Sequence, residues 1–192
     1  MTVSALDART ALVIVDLQKG TIGSTPMAHP AEDVIGHAAQ LAAAFRRRGL
    51  PVVLVNHAGG PAGRTQYGQG GSEWPPELTE LVPGLSTDDG DLRVTKHSWG
   101  AFATTDLDAR LKSLGITQVV IAGVATSYGV ESTARDAYDR GYHVTIAADA
   151  VTDPAPEGHR HSLERVFPAL GQIGTTADII ALLPPPGDAS PA

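Results

Sequence analysis

Two residues able to do acid–base work stand at the ends of short apolar runs. Asp16 closes "ALVIV" (11–15), and Lys96 closes the weaker run "DLRVT" (91–95). A carboxylate that follows five apolar residues is partly desolvated, so it needs a cationic partner or an elevated pKa. Lys96 is the natural partner. An aspartate at a strand end also serves as a helix cap or structural acceptor; the second charge, at an equivalent position, shifts the reading towards a site. A third feature is the turn "GVATSYGVEST", Gly123 to Thr133, which follows "QVVIA" (118–122). Its tip offers hydroxyls only at Thr126, Ser127 and Tyr128. The chain has no Cys, which removes disulfides, thiolate metal sites and cysteine nucleophiles together. Proton transfer by a carboxyl group beside a cation is the chemistry these residues can do.

They share a geometry if the runs are strands of one sheet. Strands are predicted at 11–15, 51–55, 91–95, 118–122 and 142–147, where apolar, often β-branched residues run nearly unbroken, as in strands buried on both faces. Helical spacing covers 31–48, 105–114, 132–140, 157–170 and 175–183, and Gly49, Gly115 and Gly141 stop the first three. Alternating strands and helices imply parallel pairing with right-handed crossovers. The fold class is α/β, a three-layer, doubly wound α/β/α sheet. Ligands of such sheets bind beyond the carboxyl ends of the strands, where Asp16, Asn56–His57, Lys96 and the 123–129 turn all fall. The 192 residues suffice for one core, expected over 1–183, and the tail "PPPGDASPA" (184–192) is expected to be disordered. The Gly- and Pro-rich segment 59–90 reads either as a lid or binding loop or as a surface insertion. In it, Tyr67 and Trp74 could close over a pocket.

A 42% hydrophobic content fits a globular chain, and no apolar stretch approaches the ~20 residues of a membrane span. The start "MTVSALDART" lacks the basic and apolar regions of a secretory signal, so a cytoplasmic location is expected. The net charge of −7 argues against nucleic-acid and anionic-membrane partners.

Three blocks, "VIVDLQKG", "VTKHSWGAFATTDLDARLKSLGI" and "VVIAGVATSYGVESTARDAYDRGYHVTIAADAVTD", occur in an order and spacing that resemble the isochorismatase-like hydrolase superfamily, over roughly residues 10 to 183. The resemblance implies a six-stranded, mainly parallel sheet and a homodimer or larger homo-oligomer. An Ala-rich helix face at Ala38, Ala39, Ala42 and Ala43 would permit close packing of copies. Most members are amidases with an Asp, a Lys and a Cys nucleophile; these positions fall on Asp16, Lys96 and Gly129. The resemblance further implies a cis peptide between Val124 and Ala125, and an oxyanion hole from N–H groups near Ala125 and Gly129.

Without a thiol the acyl-enzyme route fails as written. Ser127 lies two residues before the nucleophile position, and that offset on a turn points it elsewhere. The isochorismatases of the superfamily cleave a vinyl ether by acid catalysis from the Asp, some with Gly where amidases have Cys. They tend to carry Tyr where this chain has Ala125, so the chain looks most like a branch sharing "GVATS-x-GVEST", whose substrates are poorly defined. In this reading Asp16 is the acid, Lys96 holds substrate carboxylates or orients water, and Gly129 leaves space.

Superfamily nicotinamidases bind zinc through an Asp and two His after the second strand. Here "VNHAGG" supplies His57 without the matching pair, and His159 and His161 read as surface residues. No metal and no cofactor are expected. Gln18, Trp99, Phe102 and Tyr128 flank the catalytic positions and suit either a small cyclic substrate or core and interface packing. Two functions stay open: a nucleophile-free hydrolase of a small molecule, and a catalytically disarmed amidase fold that binds or scaffolds.

Overall fold

The structure, a computed structural model, describes residues 2–23, 26–66 and 68–184. In chain order its elements are β1 (Thr10–Val15), α1 (Ala31–Arg46), β2 (Val52–His57), a small hairpin of β3 (Arg64–Thr65) and β4 (Gly68–Gln69), α2 (Pro76–Thr79), β5 (Leu92–Lys96), α3 (Leu107–Ser113), β6 (Gln118–Val124), α4 (Glu131–Asp139), β7 (His143–Thr152), α5 (Pro156–His161), α6 (Phe167–Leu170), β8 (Gln172–Gly174) and α7 (Thr176–Leu182). β1 is buried along its whole length, as a strand covered on both faces must be. It sits inside a six-stranded sheet of order β5-β2-β1-β6-β7-β8, parallel throughout.

The two faces of β1 build two cores. Leu12 and Ile14 pack with Val34, Leu41 and Phe45 of α1 and Ile179 of α7. Ala11, Val13 and Val15 pack with Leu107 and Leu111 of α3, Ala134 of α4 and Phe167 of α6. The period of two along a strand sends alternate side chains to opposite layers. α1 carries Glu32 and Asp33 in its first turn and Arg46 in its last, the placement the helix dipole favours. Register levels the functional edge: Val15 pairs with Val55 and Gly123, and His57 with Lys96.

Several expectations are corrected. Half of the Ala-rich face of α1 is used within the chain: Ala38 and Ala42 are fully buried in its core, while Ala39 and Ala43 are half-buried. β7 runs on to Thr152 instead of stopping at residue 147, with a register shift against β6. Asp149, within the longer strand, accepts hydrogen bonds from the N–H and hydroxyl of Thr176 at 2.7 and 2.9 Å. The sixth strand, β8, carries no legible pattern in three residues. The 157–170 helix is α5 and α6 joined by a π-helical turn, Ser162–Val166.

The 59–90 segment is stitched to the body. Val82 N–H donates to Leu17 O, Lys19 N–H to Glu80 O and Gly20 N–H to Leu78 O, at 2.9–3.0 Å, and Val82 and Leu85 are buried. Tyr67 lies outside the described residues, as does the expected tail apart from Pro184. No helix among the described residues is long and apolar enough to cross a membrane.

Candidate active site

Asp16 leaves β1 with φ 52°, the one non-glycine residue in the left-handed region among those described. That region is disfavoured for L-residues, and aspartate tolerates it better than most. The conformation is pinned: Asp16 N–H donates to Val55 O at 2.9 Å, and Asp16 O accepts from Gln18 N–H at 2.9 Å and from the Thr21 hydroxyl. It turns the carboxyl group across the sheet edge to Lys96, whose Nζ stands 2.7 Å from Oδ2. Both groups are buried.

Lys96 Nζ also donates to Ser98 O at 3.1 Å and Trp99 O at 2.8 Å. An ammonium has three N–H donors, so none is left for a substrate carboxylate. The ammonium instead fixes one oxygen of Asp16. Asp16 Oδ1 is buried without a hydrogen-bond partner. Burial pushes the Asp16 carboxyl up to about 6, against the opposing pull of Lys96.

The turn after β6 opens with a cis peptide between Val124 and Ala125 and continues as a π-helical turn, Thr126–Val130. Ala125 O accepts from Tyr128 N–H and Val130 N–H, both at 3.1 Å. Single π turns recur at functional sites. A side chain at Gly129 would meet Asp16: its first carbon would stand 2.9 Å from Oδ2, 3.1 Å from Val124 O and 3.1 Å from Val15 Cγ1. Ser127 faces elsewhere, its hydroxyl and N–H both donating to Asp153 Oδ2 at 2.7 Å.

Asp16, Lys96, Ala125, Tyr128, Gly129 and Trp99 surround one cavity of about 180 Å³, together with Thr21, His57 and Trp74. Trp99 (59% exposed) and Tyr128 (43%) meet edge to face at 4.9 Å and form its rim. Larger hollows of about 330 and 480 Å³ flank β8 without an ion pair, and one of about 440 Å³ holds the Arg46–Asp91 pair at the amino ends of β2 and β5; the smaller cavity, at the carboxyl ends of the strands, is the candidate site.

Residues 10–178 match the profile of the isochorismatase domain. The chain belongs to the isochorismatase family. It is similar to the uncharacterized isochorismatase family protein YwoC of Bacillus subtilis, 40% identical over 90% of this chain and 93% of that protein. It is 30% identical to the ureidoacrylate amidohydrolase RutB of Methylobacterium radiotolerans, over 90% of this chain and 79% of that one. In structure it resembles an isochorismatase family protein from Burkholderia thailandensis, with a TM-score of 0.87 and 41% identity over 93% of this chain and 97% of the other.

Not every candidate of this isochorismatase-family chain lines the cavity. Phe102 is buried, stacking on Tyr142 with Arg140 over its ring, and so belongs to the core. Gln18 is fully buried, and its amide bonds the N–H and C=O of His57 (2.6 and 2.8 Å) and Leu78 O (3.0 Å), tying β2 to the 59–90 segment. Val124 is buried in the core below the turn. His57 and Thr21 do line the cavity, and the signal for His57 was its place at the end of β2. Burial and the Lys96 charge push the His57 imidazole down to about 4, against the Ser98 carbonyl. His159 is not a surface residue: it is buried, with Nδ1 2.8 Å from Thr126 Oγ1 and its ring edge-on to His29. His161 is exposed. Among the described residues no cluster of His, Asp or Glu is arranged to hold a metal ion.

Proposed function

We propose that this isochorismatase-family chain is a hydrolase of a small metabolite that works by proton transfer from Asp16, with no covalent intermediate. One observation carries the reading: Asp16 has one oxygen held by Lys96 and the other buried and unpartnered beside a nucleophile-free cavity. A carboxyl group kept protonated by burial is a general acid. With a vinyl ether, the Asp16 proton passes to the enol-ether carbon and the carbon–carbon π pair forms the new C–H bond. An oxocarbenium ion results, water adds to it, and the released proton returns to the Asp16 carboxylate. The hemiacetal then separates into carbonyl compound and alcohol. Lys96 is a positioning residue, stabilising the transient carboxylate through Oδ2. Gly129 keeps the space beside Oδ2 free of side-chain atoms.

The pH profile tests the role. An acid with a pKa near 6 is active when protonated, so kcat/KM for a vinyl ether is expected to fall as pH rises through about 6. A base at the same position gives the opposite slope, and a rise through that window would overturn the assignment. Stability follows the same sign. A carboxyl pKa raised from 3.8 to about 6 contributes stability fully present below 3.8 and lost as pH rises through 6, measurable as melting temperature against pH.

A second reading, a disarmed amidase fold that binds or scaffolds, draws on the likeness to RutB and on the missing thiol. The resemblance to the superfamily also supports a homo-oligomer. Light scattering at micromolar concentration is expected to give at least twice the chain mass; a monomer would contradict it.

A further inference from the structure

Three buried side-chain polar atoms have no hydrogen-bond partner among the described residues: Thr10 Oγ1, Asp16 Oδ1 and His57 Nδ1. Two of the three belong to residues lining the one cavity beside the Asp16–Lys96 pair. A buried polar atom left unpaired costs about 1–3 kcal/mol, so native proteins leave few of them. Two in one cavity are handles for a ligand.

The charges around the cavity select that ligand. Lys96 is the lining cation, and its three donors are spent on Asp16, Ser98 and Trp99. Lys19 is paired with Glu80 on the strap between residues 17–20 and 78–82. Among the described residues an entering carboxylate would therefore find no direct cationic partner and would lie against Asp16, where desolvation opposes it in either protonation state and like charge opposes it above about pH 6. The remaining walls are Trp74, Trp99 and Tyr128, and Trp74 meets His57 edge to face at 5.1 Å. At about 180 Å³ the space is below the ~300–1,000 Å³ of drug-sized sites.

We infer that the cavity takes an uncharged small molecule of about one ring, hydrogen-bonded by Asp16 Oδ1 and His57 Nδ1, and that it rejects carboxylates. This rests on the reading of the cavity as the substrate site and narrows its substrate class to neutral compounds. A neutral imidazole suits the role, since it offers a hydrogen bond without attracting an anion. Rejection then comes from unpaired charge and not from shape.

Binding tests this separately from turnover. The full chain is titrated at pH 7.5 and low salt with matched pairs, benzamide against benzoate and cyclohexanecarboxamide against cyclohexanecarboxylate, followed by ligand-observed NMR and calorimetry. The amides are expected to bind, with the carboxylates at least tenfold weaker. His57→Phe keeps a ring against Trp74 but removes the nitrogen, and is expected to weaken amide binding roughly tenfold, equivalent to about 1.4 kcal/mol. Tyr128→Arg puts a cation on the exposed rim and is expected to bring benzoate binding up to that of benzamide. These affinities are read on the wild type and on His57→Phe without any turnover, whereas the acid mechanism is read from rates, so failure of the acid mechanism and failure of this inference stay distinct. A carboxylate that binds the wild type as tightly as its amide overturns the inference. So does a set in which no amide binds, or undiminished amide binding by a folded His57→Phe.

Discussion

Asp16→Asn is expected to slow turnover of an acid-labile vinyl ether by about 10²–10⁴-fold, the usual worth of a positioned general acid. The replacement is nearly isosteric and keeps an acceptor oxygen for Lys96 Nζ, which stands 2.7 Å from Oδ2 in the wild type. What it removes is the proton. Removing one member of a buried charge pair costs about 3–5 kcal/mol when the other is left alone. Here the Ser98 and Trp99 carbonyls still hold the ammonium at 3.1 and 2.8 Å, so the variant is expected to fold with a lower melting temperature. Rates are compared below that temperature, at pH 5 to 6. A folded variant with wild-type turnover refutes the acid mechanism.

Substitutions at Gly129 are expected to disturb the same pair from the other side. The new carbon would stand 2.9 Å from Asp16 Oδ2 and 3.1 Å from both Val124 O and Val15 Cγ1. Overpacking of this kind costs about 1–3 kcal/mol. Val124 O is backbone and Val15 is fully buried, so the Asp16 carboxyl is the group that yields. Displacing it from Lys96 is expected to lower vinyl-ether turnover by about 10–100-fold in Gly129→Ala, equal to about 1.4–2.7 kcal/mol of barrier. Wild-type turnover by Gly129→Ala would remove crowding from the argument. Gly129→Cys adds a thiol at the position onto which the resemblance puts the amidase nucleophile, with Asp16 beside it. Amide hydrolysis that appears only in Gly129→Cys, with the wild type inert on vinyl ethers and amides alike, would move the assignment to the disarmed amidase fold.

The edge of the sheet was legible because burial on both faces leaves a strong mark. "ALVIV", "PVVLV" and "QVVIA" carry no polar face, and only a parallel sheet between two helical layers buries such runs. Parallel strands end on the same side, so Asp16, Lys96 and the 123–129 turn had to meet at one edge once the strands were placed. β8 escaped because three residues are too few for a pattern, although they pair with residues 145–147 of β7. Of the Ala stripe of α1, Ala38 and Ala42 make their close approach to the chain's own sheet.

Within the site, residue types and positions follow from the sequence, while directions do not. Asp16, Lys96, the missing thiol and the turn were fixed by chain order and by which residues follow buried strands. Tertiary structure decided that Lys96 spends its donors on Asp16, Ser98 and Trp99, leaving none free. It turned Trp99 to the rim and Phe102, three residues later, into the core against Tyr142. It brought Trp74 and His57 together through a strap from a segment without sequence pattern. It left Asp16 Oδ1 and His57 Nδ1 unpaired in one small cavity. Periodicity is a local property and survives in the sequence; hydrogen-bond satisfaction and side-chain direction are set by partners distant along the chain, and exist only once the chain has folded.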